Sequence, residues 1–367
     1  MGIFGGGFRF DRAQKILIVR NDRIGDVVLT LPMATAIRRA FPEAVVHFLV
    51  RGYTAPLAAD HCDVSKVVVA PDSLNDRAAY DRCLAEIRAE KYDLAIVVHS
   101  KGDVARLVWD AKIPFRMGSG LRLHSWRYNV PIFQRRRQPK RHELDYNLDM
   151  IREYVPVPAR EEVDFRLRPD EEALLRVRRF LDERKISRPF EIPRGGPEPG
   201  RMGRYTIVHP GSGRSAVDLP LETLGKLMDA FEFPGEVIVT GTAEESALYR
   251  GLASVAKRRL VDATGQFPLP ELVALISGCD LFLSNSTGPL HIARALNRRL
   301  LGFYCTVPAC HPMRWGPYAQ EKSNTILPPG ESYETFQPDK KLSMEGMKKI
   351  RVEAISKRLN EILGRGH

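Results

Sequence analysis

The chain has 367 residues, 44% of them hydrophobic, and a formal net charge of +11. That length exceeds what one core readily fills and predicts two domains, while no apolar run approaches the roughly 18 residues of a membrane-spanning helix, so a soluble protein is expected. Five scattered cysteines without a CxxC pair argue against a disulfide framework or a zinc site and for a reducing compartment.

In chain order, Met1 to Gly7 lacks a signal-peptide core and reads as a loose tail. An apolar run of parallel-sheet type follows at 15–19, then Arg20-Asn21-Asp22-Arg23-Ile24-Gly25-Asp26, then a helical pattern over 27–41. Asp26 therefore falls in the first turn of a helix at the C-terminal edge of a sheet, where open α/β folds hold their ligands. It is either a carboxylate favoured by the helix dipole or a base or substrate anchor, and Asp22, ahead of the glycine, reads as a turn residue. Strands at 45–50, 66–69 and 94–99 and a helix at 78–90 continue the alternation that specifies a helix-covered parallel sheet. Arg116, Arg122 and Arg127 lead into Arg135-Arg136-Arg137 and Lys140-Arg141, a basic patch suited to nucleic acid, anionic lipid or a phosphorylated substrate. No nucleic-acid module signature accompanies it.

Helices are expected at 142–154 and 171–184, and the Pro/Gly-rich stretch 188–203 reads as a linker. A second strand-turn-helix cycle then runs through 205–208, the turn His209-Pro210-Gly211-Ser212-Gly213, and strands at 236–241, 259–262, 280–283 and 300–304. After the strand at 280–283, Ser284-Asn285-Ser286-Thr287-Gly288-Pro289-Leu290-His291 opens a helix. Free backbone N–H groups and a positive dipole end there make an anion site, with Thr287 capping the helix or donating to a phosphate oxygen and His291 one turn in. The tail carries Met344, Met347, Ile355, Leu359, Ile362 and Leu363 on one helical stripe. The expected organisation is an N-terminal Rossmann-like domain (1–187), the linker, a C-terminal Rossmann-like domain (204–335), and a terminal helix (336–367) packing back on the first domain.

Two such halves look like the GT-B architecture of α/β glycosyltransferases, with an interdomain cleft. More narrowly, KILIVRNDRIGDVVLTLPMATAIRRAFPEA, VHPGSG, VTGTAEE and DATGQFPLPELVALISGCDLFLSNSTGPLHIARAL resemble the ADP-heptose:lipopolysaccharide heptosyltransferases, glycosyltransferase family 9, over residues 15–318. The resemblance implies that the first domain binds the acceptor and the second the nucleotide sugar, that Asp26 is the catalytic aspartate and that Thr287, Gly288 and His291 form the diphosphate turn. Ser212 and Gly213 would form the other phosphate-side loop, with Glu245 or its neighbour Glu244 near the nucleotide ribose. Two positions depart from the family pattern: Ser286 stands where Asp often precedes Thr-Gly, and Ala216-Val217-Asp218-Leu219-Pro220 has no lysine, which leaves Arg214 as the nearest cation.

The implied chemistry is inverting transfer of a heptose from a nucleotide-diphosphate donor, ADP-heptose, to the lipopolysaccharide core or a related lipid-linked acidic saccharide. A carboxylate takes the acceptor proton, and helix N–H groups with Arg214 stabilise the leaving diphosphate. No DxD-type acidic pair stands beside the phosphate turn, so neither metal nor cofactor is expected. Acceptor contacts are assigned to Arg122, Arg127, Arg135, Arg136 and Arg137, and the expected location is cytoplasmic, peripheral to the inner membrane of a Gram-negative bacterium. A sugar-nucleotide epimerase and a non-catalytic anionic-glycan or membrane-binding module are the rival readings.

Overall fold

The computed structural model describes residues 7–136, 140–186 and 205–365, and the expected linker, Arg137 and most of the N-terminal tail lie outside them. The chain divides into two units, Met1–Leu167 and Arg168–His367.

The first unit carries β1 (Lys15–Val19), α1 (Ile24–Val28), α2 (Leu31–Ala40), β2 (Val45–Arg51), α3 (Ala55–Ala59), β3 (Lys66–Ala70) and α4 (Arg77–Glu90). It continues with β4 (Leu94–Val97), α5 (Gly102–Asp110), β5 (Phe115–Ser119), β6 (Val130–Ile132) and α6 (Glu143–Asp149). Its six strands are hydrogen-bonded in the order β3-β2-β1-β4-β5-β6, and every described pair is parallel. Ile16, Leu17, Ile18 and Val19 are all fully buried. A central strand of a parallel sheet has helices on both faces, so it reads as a continuous apolar run rather than an alternating one. The chain leaves β1 to one side and β4 to the other, so the loops after Val19 and Val97 diverge and leave a crevice at the C-terminal edge.

The helix expected over 27–41 is two helices. Pro32, at the start of α2, has no N–H to donate and its ring would crowd the carbonyl of Val28, so the helical ladder breaks at Leu29 and Thr30. β5 and β6, which the sequence reading passed over as a basic patch, are short and interrupted by arginine and proline. The 142–154 helix is regular only over α6.

The second unit begins with α7 (Glu171–Glu183) and repeats the plan through β7 (Tyr205–His209), α8 (Leu221–Ala230), β8 (Glu236–Val239), α9 (Ser246–Val255) and β9 (Leu260–Asp262). It goes on through α10 (Leu269–Gly278), β10 (Leu281–Asn285), α11 (Gly288–Ala295), β11 (Leu300–Phe303), α12 (Pro312–Trp315), β12 (Thr325–Ile326), α13 (Lys340–Lys348) and α14 (Val352–Leu363). The strand order β12-β11-β10-β7-β8-β9 is again all parallel, with the switch between β7 and β10.

Two boundaries differ from expectation. α7 packs with the second unit, where it lies on α10 and Phe180 meets Phe267 edge-on at 4.8 Å. The terminal helix also packs on the second unit rather than the first: α14 lies against α8, with Met347, Ile355 and Leu359 fully buried in one core with Leu227 and Leu252. Met344, expected on that stripe, is exposed, because the buried face of α13 runs through Ser343 and Met347, four residues apart, and Met344 lies about 100° round the helix from Ser343.

Leu359→Ala should therefore destabilise the second unit by about 2–5 kcal/mol through transfer and cavity terms, while Met344→Ala should stay within about 0.5 kcal/mol. Urea titration followed by circular dichroism distinguishes this from a helix without a buried face, for which both changes would be mild.

Candidate active site

Each unit carries its polar cluster at the C-terminal edge of its sheet, at the switch point. In the first, Arg20 follows β1 directly and is 1% exposed. Its Nε donates to Asp22 Oδ1 at 2.9 Å, Nη2 donates to Asp26, and both terminal nitrogens reach Glu143 Oε1 at 3.2 and 3.3 Å. Glu143, itself 2% exposed on α6, also accepts from Arg136 Nη1 at 2.9 Å. Asn147, one turn further along α6, accepts from Arg136 at 3.1 Å and donates to the Leu29 carbonyl at 2.9 Å, and Thr30 Oγ1 donates to the Asp26 carbonyl at 2.8 Å. The break forced by Pro32 is thus tied to the carboxylate cluster, and α1 is held short with Asp26 at its first turn.

Burial pushes the Asp26 carboxyl above its ordinary range, Arg20 opposes that shift, and Asp22 and Glu143 add to it. Asp22 has a different setting: His99, after β4, stands 3.7 Å from Oδ2, and Tyr53 donates to its carbonyl at 2.9 Å. The His99 imidazole is pushed down to about 4 by desolvation and by the Arg20 and Lys101 cations, so it is neutral at pH 7. Nothing in the sequence pattern singled out Arg20, Glu143, Asn147 or His99. The acid on α6 lies 123 residues from Arg20, beyond the reach of any local signal.

The expected acceptor arginines do not behave as one patch. Arg136 is turned inward, holding Glu143, Gln134 Oε1 at 2.8 Å and the Tyr146 carbonyl at 3.1 Å, so it is part of the carboxylate frame rather than a surface cation. Arg122 and Arg135 are exposed, and Arg127 lies over the Trp126 ring at 4.2 Å.

In the second unit the turn after β7 is closed by side chains from elsewhere. Asn285, at the end of β10, donates to the Pro210 carbonyl at 2.6 Å and accepts from the Leu219 amide at 2.9 Å, tying the 210–219 loop to the adjacent strand. Glu245 accepts from the amides of Gly213 at 3.1 Å and Thr242 at 3.0 Å. A Cβ on Gly211 would come within 2.1 Å of Glu245 Oε1, which is why glycine stands there. Gly213 and Arg214 both take left-handed backbone angles, φ +55° and +64°, which arch the loop. Of the two candidate carboxylates, Glu245 is therefore the one at the loop, and Glu244 faces solvent.

Thr287 does not cap α11. Its hydroxyl is paired with Ser284 Oγ at 2.8 Å and makes no side-chain cap bond, so the first-turn amides of α11 are left for another acceptor. Pro289 contributes no N–H, and its ring sets the helical φ. Ser286, where the family pattern often has Asp, sits against the Tyr304 phenol. His291 is buried on α11, and His209 is lowered to about 4 by burial, with its Nδ1 at 2.9 Å from Thr240 Oγ1. Among the described residues one further His/Cys/Asp group is close-set, His61, Cys62 and Asp63. There His61 Nδ1 takes the Asp63 amide, Nε2 faces the Phe165 carbonyl at 2.9 Å, and Arg166 holds the Asp63 carboxylate, so the imidazole has no lone pair left for a metal.

Two all-parallel, doubly wound units with polar loops at their switch points define the GT-B class of glycosyltransferases. The family model for glycosyltransferase family 9 (heptosyltransferase) matches residues 81–344, and the chain belongs to that family. It is 28% identical over 323 residues to a Haemophilus influenzae protein named only as a putative glycosyltransferase, covering 86% of this chain and 90% of that one. It is 22% identical to lipooligosaccharide heptosyltransferase 2 of the same organism, covering 96% and 100%. The family 9 glycosyltransferase structure from Veillonella parvula superposes with a TM-score of 0.79 at 17% identity, covering 99% of this chain and 100% of that one. Escherichia coli ADP-heptose lps heptosyltransferase II gives 0.72 at 16%, covering 96% and 99%. The protein is thus a glycosyltransferase of heptosyltransferase type.

Removing Glu143 would take an acceptor from the buried Arg20 guanidinium and from the partly buried Arg136 guanidinium. Glu143→Ala should cost about 3–5 kcal/mol of stability. Asp149→Ala, which loses only the half-exposed partners Arg141 and Arg152, should cost about 1 kcal/mol or less. Chemical denaturation of both variants checks the ranking.

Proposed function

We propose that the protein moves a heptose or a closely related sugar from ADP-heptose to the lipopolysaccharide core or a related lipid-linked acidic saccharide, with inversion and without a metal. The observation that carries this reading is Asp26, a carboxylate raised by burial yet clasped by Arg20 at the switch-point edge of the first sheet. Such a carboxylate is a stronger base than a solvated one, and the adjacent guanidinium favours its ionised form. It takes the proton of an acceptor hydroxyl as the oxygen bonds to the anomeric carbon. The bond from that carbon to the β-phosphate oxygen breaks, and the diphosphate leaves with the electron pair.

The second unit supplies groups suited to that leaving group. The uncapped amides of α11 are donors without charge of their own, Arg214 in the arched 211–214 loop is the nearest cation in the sequence, and Gly288 lets a phosphate approach the backbone. Family relatives solved with ADP and with an ADP-2-deoxy-2-fluoro heptose, both E. coli WaaC, support the choice of ADP-heptose as donor. Ser286 and the absence of lysine at 216–220 shift the phosphate contacts onto backbone amides and Arg214. A lipid-linked acceptor would be met at a membrane surface, and no helix of the described residues is long and apolar enough to cross one.

Asp26→Asn preserves shape but cannot accept a proton, so kcat should fall at least about a hundredfold with donor Kd unchanged, and Asp22→Asn should do much less. Transfer assays with ADP-heptose and a lipopolysaccharide-core acceptor check this, and comparable losses in both variants would place the base elsewhere. Because the base works ionised and its carboxyl is raised, the wild-type rate should climb with pH through a midpoint above the usual carboxylate value of about 4. Gly288→Val should weaken ADP binding in calorimetry, and EDTA treatment should leave the rate intact.

A further inference from the structure

Between Asp110 and Glu143 the chain has nine Lys and Arg residues and no Asp or Glu. The same stretch holds exposed apolar side chains: Leu121 is 51% exposed, Leu123 102%, Trp126 61% and Phe133 68%. Of the thirteen large apolar side chains exposed among the described residues, these are four, and Trp109, whose ring meets Trp126 at 5.2 Å, is a fifth. Apolar side chains and cations alternate along the chain, as Leu121-Arg122-Leu123, Trp126-Arg127 and Phe133-Gln134-Arg135.

These side chains are held outward by an ordered base. The Arg116 guanidinium stacks on Trp109 at 4.8 Å and donates to the Arg127 carbonyl at 2.7 Å. Asn129 bridges the Pro114 carbonyl and the Arg116 amide. Ser100 Oγ ties His124 and Tyr128, each at 2.8 Å. The Gly120 amide donates to the Ile132 carbonyl, and the Phe133 ring lies where a Gly120 side chain would be. The 120–124 segment and Phe133 follow the C-terminal ends of β5 and β6, the sheet edge that also carries Asp26. A fold that fixes its loop this firmly and still leaves Leu123 fully in water has an apolar partner to meet there.

We infer that this surface docks the protein onto an anionic phospholipid bilayer: Leu123, Trp126 and Phe133 enter the headgroup-acyl boundary, and Arg122, Arg127 and Arg135 pair with lipid phosphates. Aromatic residues favour that interfacial zone, nearby cations are attracted to the anionic lipid surface, and binding scales with buried apolar area plus electrostatics. The inference rests on the transferase reading for the choice of a membrane as occupant, since the surface shares an edge with the proposed base. A nucleic acid would use the cations and aromatic faces but not the aliphatic Leu121 and Leu123, and a second copy of this chain would bring the same positive charge against itself.

The test is co-sedimentation of the full chain with phosphatidylcholine vesicles, with and without phosphatidylglycerol, alongside donor calorimetry. Wild type should partition onto the mixed vesicles and lose binding with salt. Leu123→Ser/Trp126→Ser/Phe133→Ser and Arg122→Gln/Arg127→Gln/Arg135→Gln should each bind at least about tenfold less. The apolar variant should keep its donor Kd, which shows that it folds. Failure of wild type to bind mixed vesicles, undiminished binding by the apolar variant, displacement from vesicles by oligouridylate, or a lipid-free dimer that the apolar variant abolishes would each overturn the docking surface. Vesicle binding without sugar transfer would instead overturn the transferase reading and leave the surface standing.

Discussion

Taking a guanidinium out of water costs several kcal/mol unless its donors are met by well-placed acceptors, and Arg20 is almost wholly enclosed at the end of β1. Three carboxylates answer it, from the turn after β1, from α1 and from α6. The first unit's ligand edge is organised by that requirement. α6 must come in far enough for Glu143 to reach Arg20, Arg136 must fold back to balance Glu143, and Asn147 then meets the backbone where α1 breaks from α2. Asp26 inherits its position and its raised pKa from this frame, so its chemistry is set by groups that need not touch a substrate.

The second unit solves the corresponding problem with the opposite material. Its ligand edge is built from backbone amides, hydroxyls and one side-chain amide, and Asn285 and Glu245 hold the loops where Arg20 and Glu143 do so in the first. An anion site needs donors that remain unsatisfied in the protein alone. Sequestering the Thr287 hydroxyl on Ser284 and placing Pro289 in the first turn keeps the start of α11 open. The two units share a strand order and differ in electrostatic content, which suits the proposed base on one and the proposed leaving group on the other.

Surface charge divides in a similar way. The sequence shows one basic run, but the fold splits it: Arg136 is spent on Glu143, Arg116 on backbone carbonyls and a Trp ring, and Arg122 and Arg135 remain at the surface among exposed apolar residues. An arginine count alone does not separate structural guanidiniums from those available to a ligand.

The sequence by itself determined the two doubly wound units, because buried parallel strands are continuous apolar runs and their glycine- and hydroxyl-rich turns mark the edges where ligands bind. It also placed Asp26 and the turn at Thr287 and Gly288 at helix starts that follow strands, since strand, turn and helix start are contiguous in the chain. It did not determine which unit holds α7 and α14, because an apolar stripe records that a face is buried but not against what. Nor did it indicate Arg20, Glu143 and Asn147 as one network, or Asn285 as the tie between two loops. Those pairings join residues far apart in sequence, and whether a charged side chain is buried is decided by the packing around it, so only the tertiary structure could assign them.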